Sequence, residues 1–178
     1  MKPSLPIITL LTDFGLTDHY VGVMKGVMLG ICPQAQLVDI SHEVTPYAIT
    51  EGAYTLGQAW SYFPEGTVHL VVVDPGVGSA RRPIILESSG HLFIGPDNGV
   101  FDFIYDAATD PIVREITATR YFRQPVSRTF HGRDVFSPVA ARLAAGVGAA
   151  EFGPVIEDFV RLHFSKPVQS QPDTWTGT

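Results

Sequence analysis

The sequence predicts an α/β domain in which a layered sheet of mostly parallel strands is flanked by helices. Short runs of β-branched residues alternate with longer stretches of helical periodicity, which is typical of strand–helix–strand units. Residues 68–73 read VHLVVV without regular alternation, which indicates a central strand covered on both faces. The length of 178 residues fits one domain, since domains usually have about 100–200 residues.

Three strands and two helices are expected in the first half of the chain. The strands cover residues 6–13, 36–40 and 67–74, where apolar and β-branched residues cluster. The helices cover residues 20–31 and 48–63. Apolar residues recur at helical spacing on one face of each helix: Tyr20, Met24, Val27, Met28 and Ile31 on the first, and Ala53, Leu56 and Trp60 on the second.

The second half of the sequence predicts a different order of strands and helices. Two strands at residues 83–87 and 91–95 flank a Ser-Ser-Gly turn and form a hairpin. A turn at residues 96–99, a short helix at 100–106 and a strand at 112–117 follow. An alanine-rich helix is expected at residues 134–145, capped by Asp134 or a neighbour and ended by Gly146.

The last residues differ in composition from the rest. Residues 166–178 are polar, contain proline and lack periodicity, which is typical of a linker. We therefore expect a domain over residues 1–165 and a linker over residues 166–178.

Charge and cysteine content limit the classes of partner. The net charge of −6 and the pI near 5.4 disfavour nucleic acid and anionic membranes, so a small molecule or a protein is the expected partner. The single cysteine, Cys32, excludes an intrachain disulfide and a zinc site with several thiolates. It favours a reducing cytoplasm and is expected to be a small buried apolar residue. No uncharged stretch reaches the ~18 residues that cross a bilayer.

Polar residues follow two of the predicted strands and precede the last helix. Ligands of parallel α/β sheets bind beyond the carboxyl ends of the strands, so these positions are candidate site residues. Asp13 either caps a turn or accepts hydrogen bonds from a vicinal diol. The glycine-containing loop after Asp74 is a weak nucleotide signal, but it is long enough to fold Arg81 back onto that carboxylate. His131 is a candidate base because histidine titrates near neutrality.

A metal site is a weaker alternative. Asp18, His19, Asp39 and His42 could supply ligands, but they have no recognised metal-binding spacing. Caps at the surface explain these residues more simply, so no metal site is predicted.

Four blocks of the sequence together resemble a known family. TLLTDFGLTDHYVGVMKG, VVVDPGVGSARR, GPDNGVF and TFHGRDVFSPVAA are similar to the S-adenosyl-L-methionine (SAM) hydroxide adenosyltransferases, which are relatives of the fluorinase and chlorinase enzymes. The resemblance runs in order from about residue 7 to residue 165. It implies an N-terminal α/β domain followed by a C-terminal β-barrel domain, of which this chain corresponds to the first. It also implies a homotrimer that binds SAM between the N-terminal domain of one subunit and the C-terminal domain of its neighbour.

The resemblance also implies an activity. Water or hydroxide would attack the ribose C5′ of SAM and give adenosine and L-methionine, with no metal or redox cofactor. The catalytic set of the hydrolases corresponds here to Asp74, Arg81 and His131. The halogenating relatives carry tyrosine at the position of Asp74, which favours hydrolysis over halide transfer.

Four further positions are implied to contact the substrate. Asp13 would bind the ribose 2′ and 3′ hydroxyls, Tyr47 would take the place of a tryptophan along the ribose, and Phe130 would line the pocket. Gly132 stands where the fluorinases carry serine and the chlorinases carry glycine, so it is less decisive.

Three alternatives stay open at the level of sequence. The chain could belong to a halide-dependent 5′-adenosyl transferase on the same scaffold. It could also be a non-catalytic module that binds adenosine or SAM through Asp13. Within the hydrolase hypothesis, Arg82 is the second candidate for the arginine because it directly follows Arg81.

Overall fold

A six-stranded mixed sheet forms the centre of the computed structural model, which describes residues 5–108, 110–162, 168–171 and 174–176. Its strands are β1 (Ile7–Thr12), β2 (Gln36–Ser41), β3 (Val68–Val72), β4 (Pro83–Ser88), β5 (His91–Pro96) and β6 (Ile112–Glu115). Their spatial order is β2-β1-β3-β5-β4-β6. The first four in this order are mutually parallel, whereas β4 runs antiparallel to both of its neighbours. The predicted α/β class with a mostly parallel sheet is confirmed.

Four α-helices cover the two faces of the sheet. They are α1 (Tyr20–Ile31), α2 (Ile49–Ala59), α3 (Asp102–Ala107) and α4 (Ser137–Ala144). Helices α1 and α4 pack on one face, and α2 and α3 pack on the other. Shorter helical turns lie at Trp60–Tyr62, Thr119–Tyr121 and Ala149–Phe152, and a π-helical turn at Gly132–Phe136 leads into α4.

Strand β3 is buried along its whole length between β1 and β5. Leu70 and Val72 face the core under α1 and α4, whereas Val71 and Val73 face the core under α2 and α3. Successive strand residues point to opposite faces, so a strand with helices on both sides is apolar at most positions. The exception in β3 is His69, whose buried ring contacts the Thr9 hydroxyl at 2.8 Å. This confirms the expectation drawn from the VHLVVV run.

The hairpin predicted around Ser-Ser-Gly is also confirmed. Ser88 pairs with His91, and the two residues between them, Ser89 and Gly90, have φ values of +50° and +76°. Positive φ at both central residues is the geometry that two-residue hairpin loops favour.

The first two helices differ from the expectation in detail. On α1 the buried residues are Val21, Met24 and Met28, whereas Tyr20 is 38% exposed. The predicted face was therefore wrong at its first position, because Tyr20 lies at the helix start and turns toward a cleft described below. Helix α2 ends at Ala59, four residues before the predicted end, and the chain tightens into a 3₁₀ turn.

The last helix begins differently from the expectation. The chain is already helical at Gly132, and the Asp134 side chain is wholly buried instead of capping the helix. Its carboxylate accepts hydrogen bonds from Arg133 at 2.7 and 2.8 Å and from the Ser127 amide at 2.8 Å. The predicted cap is wrong because these partners satisfy the carboxylate. The end of the helix before Gly146, whose φ is +95°, is confirmed.

The chain end contains a feature that the sequence did not predict. Strands β7 (Val168–Gln171) and β8 (Thr174–Thr176) pair antiparallel, so the expectation of no regular element in residues 166–178 was wrong for these segments. The assignment of residues 166–178 as a linker stays a prediction. Among the described residues, none of the helices has the length and apolar character needed to span a membrane.

Replacing Asp134 with asparagine is expected to destabilise the fold. The change removes charge-assisted hydrogen bonds at a buried site, so we expect the free energy of unfolding to fall by about 2 kcal/mol in urea denaturation at neutral pH. Burial alone would raise the pKa of Asp134, but the hydrogen bonds from Arg133 and Ser127 outweigh it and hold the pKa below the ordinary 3.8.

The stabilisation by Asp134 is therefore present above pH 3.8 and is lost as the pH falls through the lowered pKa. Asp158→Asn is the control, because that side chain is 79% exposed and should change the free energy of unfolding much less. Equal effects of the two substitutions would contradict this assignment.

Candidate active site

A cleft lies beyond the carboxyl ends of β1, β2 and β3, where the sequence placed its candidates. Its volume is about 580 Å³. Its lining residues come from the loops after these strands, from the start of α1 and from the segment before the π-helical turn: Asp13, Phe14, His19, Tyr20, Pro46, Tyr47, Asp74, Val77, Ser127, Thr129, Phe130 and Arg133.

The loop after β3 folds back on its own first residue. Gly78, with φ of +75°, lies so close to the Arg128 carbonyl that a Cβ atom there would overlap it. The turn returns Arg81 to Asp74, where Nε donates to Oδ1 at 3.1 Å and Nη2 donates to Oδ2. Both side chains are buried, with exposures of 6% and 5%. Two parallel hydrogen bonds from a planar guanidinium fix both the position and the orientation of the carboxylate.

The same guanidinium reaches a third side chain. Arg81 Nη2 lies 3.2 Å from His131 Nδ1. Arginine only donates hydrogen bonds, so Nδ1 is the acceptor and a neutral imidazole carries its proton on Nε2. Burial and the positive charge of Arg81 lower the pKa of His131, against the opposing effect of Asp74. The imidazole is therefore neutral near pH 7. Arg81 thus contacts both of the other predicted catalytic residues, Asp74 and His131.

The second arginine candidate lies elsewhere. Arg82 donates to Asp97 at 2.7 Å and to Asp158 at 2.8 Å, and so fastens the segment around residue 158 to the turn after β5. The geometry therefore assigns the contact with Asp74 to Arg81. Among the described residues, Arg81 Nη1 is buried without a hydrogen-bond partner.

A small chamber adjoins the cleft. Its volume is about 30 Å³, and both Asp74 and His131 line it. Phe14, Val77, Thr129 and Phe130 line both the chamber and the cleft. A cavity of this volume is large enough to hold a water molecule, and polar groups lie on its wall.

Asp13 directly follows β1 and lies in the cleft wall. Its Oδ2 accepts a hydrogen bond of 2.8 Å from the Tyr47 amide. Half-burial raises the pKa of Asp13, the Tyr47 amide opposes this, and the negative charge of Asp74 adds to it. A carboxylate has about four acceptor positions, so Asp13 can bind hydroxyl groups while it keeps the amide.

Tyr47 contributes to the site through its backbone as well as its ring. Its φ of +68° is uncommon for a residue with a side chain and points the amide at Asp13. The side chain is 69% exposed and lines the cleft. The prediction that the ring lies along a ribose stays a prediction.

Aromatic rings form one wall of the cleft. Phe130 is 8% exposed and packs edge-on against Tyr20 at 5.0 Å and Phe14 at 6.1 Å between ring centroids. A Cβ atom on Gly132 would lie 3.1 Å from the Met24 sulfur and 3.3 Å from the Phe14 ring. Gly132 therefore lets the aromatic wall approach the π-helical turn closely.

Several lining residues were not singled out from the sequence. Phe14, Tyr20, Ser127, Thr129 and Arg133 lie in the cleft. Phe14, Tyr20, Thr129 and Arg133 belong to sequence blocks that carry the family resemblance, and the blocks were the signal that could have identified them. Ring packing across three segments cannot be read from local spacing.

The four residues of the metal hypothesis do not gather into one site, although His42 Nε2 lies 3.0 Å from Asp39 Oδ1. No group of three or more His, Cys, Asp or Glu side chains in the described part of the chain is arranged to hold a metal ion. The expectation of surface caps is nevertheless wrong for His42, which is 2% exposed because it packs behind the loop after β1. Cys32 is buried, as expected.

Comparison with known proteins gives one family. A family model described as the SAM hydroxide adenosyltransferase N-terminal domain matches residues 8–153. A protein of Salinispora arenicola named (R)-S-adenosyl-L-methionine hydrolase is 43% identical over 97% of this chain and 67% of its own length. A protein of an Actinoplanes species named fluorinase is 29% identical over 97% of this chain and 64% of its own length.

A solved structure has the same fold. An uncharacterized conserved protein from Thermotoga maritima superposes with a TM-score of 0.88 at 41% identity, over 91% of this chain and 63% of that one. The chain thus spans about two thirds of the length of the proteins that it matches.

The contact with Arg81 predicts how His131 titrates. In a heteronuclear NMR titration, the His131 midpoint should lie below 6.5, the ordinary value, because burial and Arg81 disfavour the imidazolium. Arg81→Met should raise this midpoint, since it removes the cation and leaves Asp74 beside the ring. Arg82→Met is the matched control and should leave the midpoint unchanged. An unchanged midpoint in folded Arg81→Met protein would refute the contact.

Proposed function

We propose that this chain, which belongs to the SAM hydroxide adenosyltransferase family, provides the water-activating part of a site that hydrolyses SAM to adenosine and L-methionine. The observation that carries the proposal is the contact of Arg81 with both Asp74 and His131, which line a chamber large enough to hold water. The adjoining cleft of about 580 Å³ lies within the usual range for ligand pockets, about 300–1,000 Å³. The names of the relatives at 40–43% identity agree with this reaction.

The reaction is a displacement at the ribose C5′. A bond forms between the water oxygen and C5′ as the bond between C5′ and sulfur breaks, and the bonding pair neutralises the sulfonium. The leaving group therefore needs no proton, and the protein must instead orient one water in line with the bond that breaks. A chamber large enough to hold water beside the cleft fits this requirement.

Asp74 is the group best placed to take the proton from the water. It lines both the chamber and the cleft, and a carboxylate keeps acceptor positions beyond the two that Arg81 occupies. His131 is less suited, because its Nδ1 already accepts from Arg81. The Nε2–H of His131 would instead orient the water oxygen, and the positive charge of Arg81 would stabilise developing hydroxide.

Asp13 would hold the ribose in this scheme. Its carboxylate would accept hydrogen bonds from the 2′ and 3′ hydroxyls while the Tyr47 amide fixes its orientation. The Tyr47 ring would lie along the sugar, and Phe130 and Gly132 would close the wall next to C5′. The cationic sulfonium would be attracted by Asp13 and Asp74 together.

Halide transfer is the alternative reaction on this scaffold, and the relatives named fluorinase motivate it. The Asp74 carboxylate favours hydrolysis, because it can take a proton from an attacking water, whereas a halide has no proton to lose. A non-catalytic module that binds adenosine or SAM is a third possibility, but such a module has no need of a buried carboxylate, guanidinium and imidazole in contact.

Further parts of the proposal concern the whole protein. We propose a homotrimer in the cytoplasm, acting on SAM without metal or redox cofactor and without nucleic acid or membrane as partner. Residues 166–178 would lead to a C-terminal β-barrel domain that covers the cleft of a neighbouring subunit. Aromatic and apolar residues at the exposed rim, among them Leu16 and Tyr47, support a covering partner.

Product analysis tests the reaction directly. Full-length protein incubated with SAM, with and without chloride, should give adenosine as the sole nucleoside in both cases. The expectation follows from the carboxylate in the chamber. Chloride-dependent 5′-chloro-5′-deoxyadenosine would contradict hydrolysis, and absence of turnover with retained SAM binding would favour the non-catalytic module.

Substitutions test the roles of the three residues. Asp74→Asn should lower kcat by about 10²–10⁴-fold, the usual contribution of a general base. His131→Ala should lower kcat by about 10²–10³-fold, the usual cost of losing one donor to a developing negative charge. Asp158→Asn is the control, since its exposed side chain lies outside the cleft. Undiminished turnover in Asp74→Asn would refute the assignment.

A further inference from the structure

A buried histidine lies behind the loop that carries Asp13, and the proposed chemistry gives it no role. His42 directly follows β2 and is 2% exposed. Its Nδ1 lies 2.8 Å from the Thr12 hydroxyl, and its Nε2 lies 3.0 Å from Asp39 Oδ1. Asp39 also pairs with Lys25 at 2.6 Å. A chain of polar contacts therefore runs from the surface to the end of β1.

The two ring nitrogens of His42 differ in their contacts. Among the described residues, the buried Nε2 makes no hydrogen bond of acceptable geometry, so its 3.0 Å approach to Asp39 is an electrostatic contact. The Nδ1 shares a hydrogen bond of 2.8 Å with the Thr12 hydroxyl, which can both donate and accept. The Thr12 oxygen also accepts from the Phe14 amide, which lies 3.3 Å away. The imidazole thus orients the hydroxyl that holds the peptide directly after Asp13.

Two further contacts fasten the same loop. The Gly15 amide donates to the His42 carbonyl at 2.7 Å, and the Tyr47 amide donates to the Asp13 carboxylate at 2.8 Å. The end of β1 and the loop after it are therefore joined to the loop after β2 at three points, which are Thr12, Asp13 and Gly15. Two of the three run through His42.

We propose that His42 is a positioning residue, which acts through Thr12 and the Phe14 amide to hold the Asp13 carboxylate toward the vicinal diol of the substrate. The inference rests on the proposed function in one respect, that Asp13 binds the ribose. Loss of the imidazole would leave the chemistry at Asp74 intact but would loosen the group that recognises the sugar hydroxyls.

The structure offers a matched control. His69 is also a buried histidine of the same sheet, and its Nδ1 lies 2.8 Å from the hydroxyl of Thr9, which like Thr12 belongs to β1. This second pair lies away from the cleft lining. The same substitutions therefore remove the same threonine–imidazole contact at both pairs, and His69→Leu also removes a 3.2 Å contact with His91 Nδ1. Only the His42 pair adjoins Asp13.

The test compares the affinities of full-length protein for adenosine and for 2′,3′-dideoxyadenosine by calorimetry. The ratio of the two dissociation constants measures recognition of the diol. His42→Leu and Thr12→Val should each reduce this ratio by about tenfold or more, the usual worth of a hydrogen bond to a charged group. His69→Leu and Thr9→Val should leave it unchanged. His42→Asn, whose side-chain amide can replace Nδ1 in the hydrogen bond with Thr12, should restore most of the ratio.

The outcomes distinguish the role of Asp13 in binding the diol from the positioning role of His42. If Asp13→Ala leaves the ratio of the two dissociation constants unchanged, the role of Asp13 and thus the proposed function would be overturned. A ratio lost in Asp13→Ala but retained in Thr12→Val and His42→Leu would overturn the positioning role alone. Equal losses at the His69 and His42 pairs would show a general effect on stability and would also overturn it. If His42→Leu fails to fold, the Thr12→Val and Thr9→Val pair decides.

Discussion

The guanidinium of Arg81 is the constraint on which the rest of the site depends. It holds both oxygens of Asp74 and also reaches His131, so one side chain joins the end of β3, the loop that follows and the start of the π-helical turn. A carboxylate that is 5% exposed needs such a partner, because an unpaired buried charge costs several kcal/mol. The loop after β3 is folded tightly enough to bring this partner back within seven residues.

The two carboxylates of the cleft are held by different means, and this separates their roles. Asp74 is paired with a cation, which suits a group that orients a nucleophile in a small chamber. Asp13 is held by a backbone amide, its pKa is raised by burial and by the charge of Asp74, and it faces the larger part of the cleft. A substrate with a diol and a positive sulfonium satisfies both groups.

Much of this arrangement follows from sequence patterns that reflect local physics. The run at residues 68–73 predicted the central strand because a strand with helices on both faces is apolar at nearly every position. The seven-residue spacing of Asp74 and Arg81 predicted their contact, because a glycine-containing loop of that length can reverse direction. The roles of these residues came from the resemblance of whole blocks, since neither residue type alone specifies a reaction.

Features that depend on distant segments could not be predicted. Asp134 has the position of a helix cap in the sequence. Inside the protein, however, its carboxylate accepts hydrogen bonds from the Ser127 amide and from the side chains of Arg123 and Arg133. Tyr47 binds Asp13 with its amide, which depends on a positive φ that no sequence rule assigns to tyrosine. His42 was expected at the surface, yet the packing of the loops after β1 and β2 buries it.

The central claim is that the chamber beside Asp74 delivers water to C5′ of the ribose. The most direct measurement is turnover of SAM by the full-length protein in ¹⁸O-labelled water, followed by mass spectrometry of both products. The account predicts one ¹⁸O atom in the 5′ hydroxyl of adenosine and none in methionine. Unlabelled adenosine, label in methionine or a nucleoside other than adenosine would contradict it.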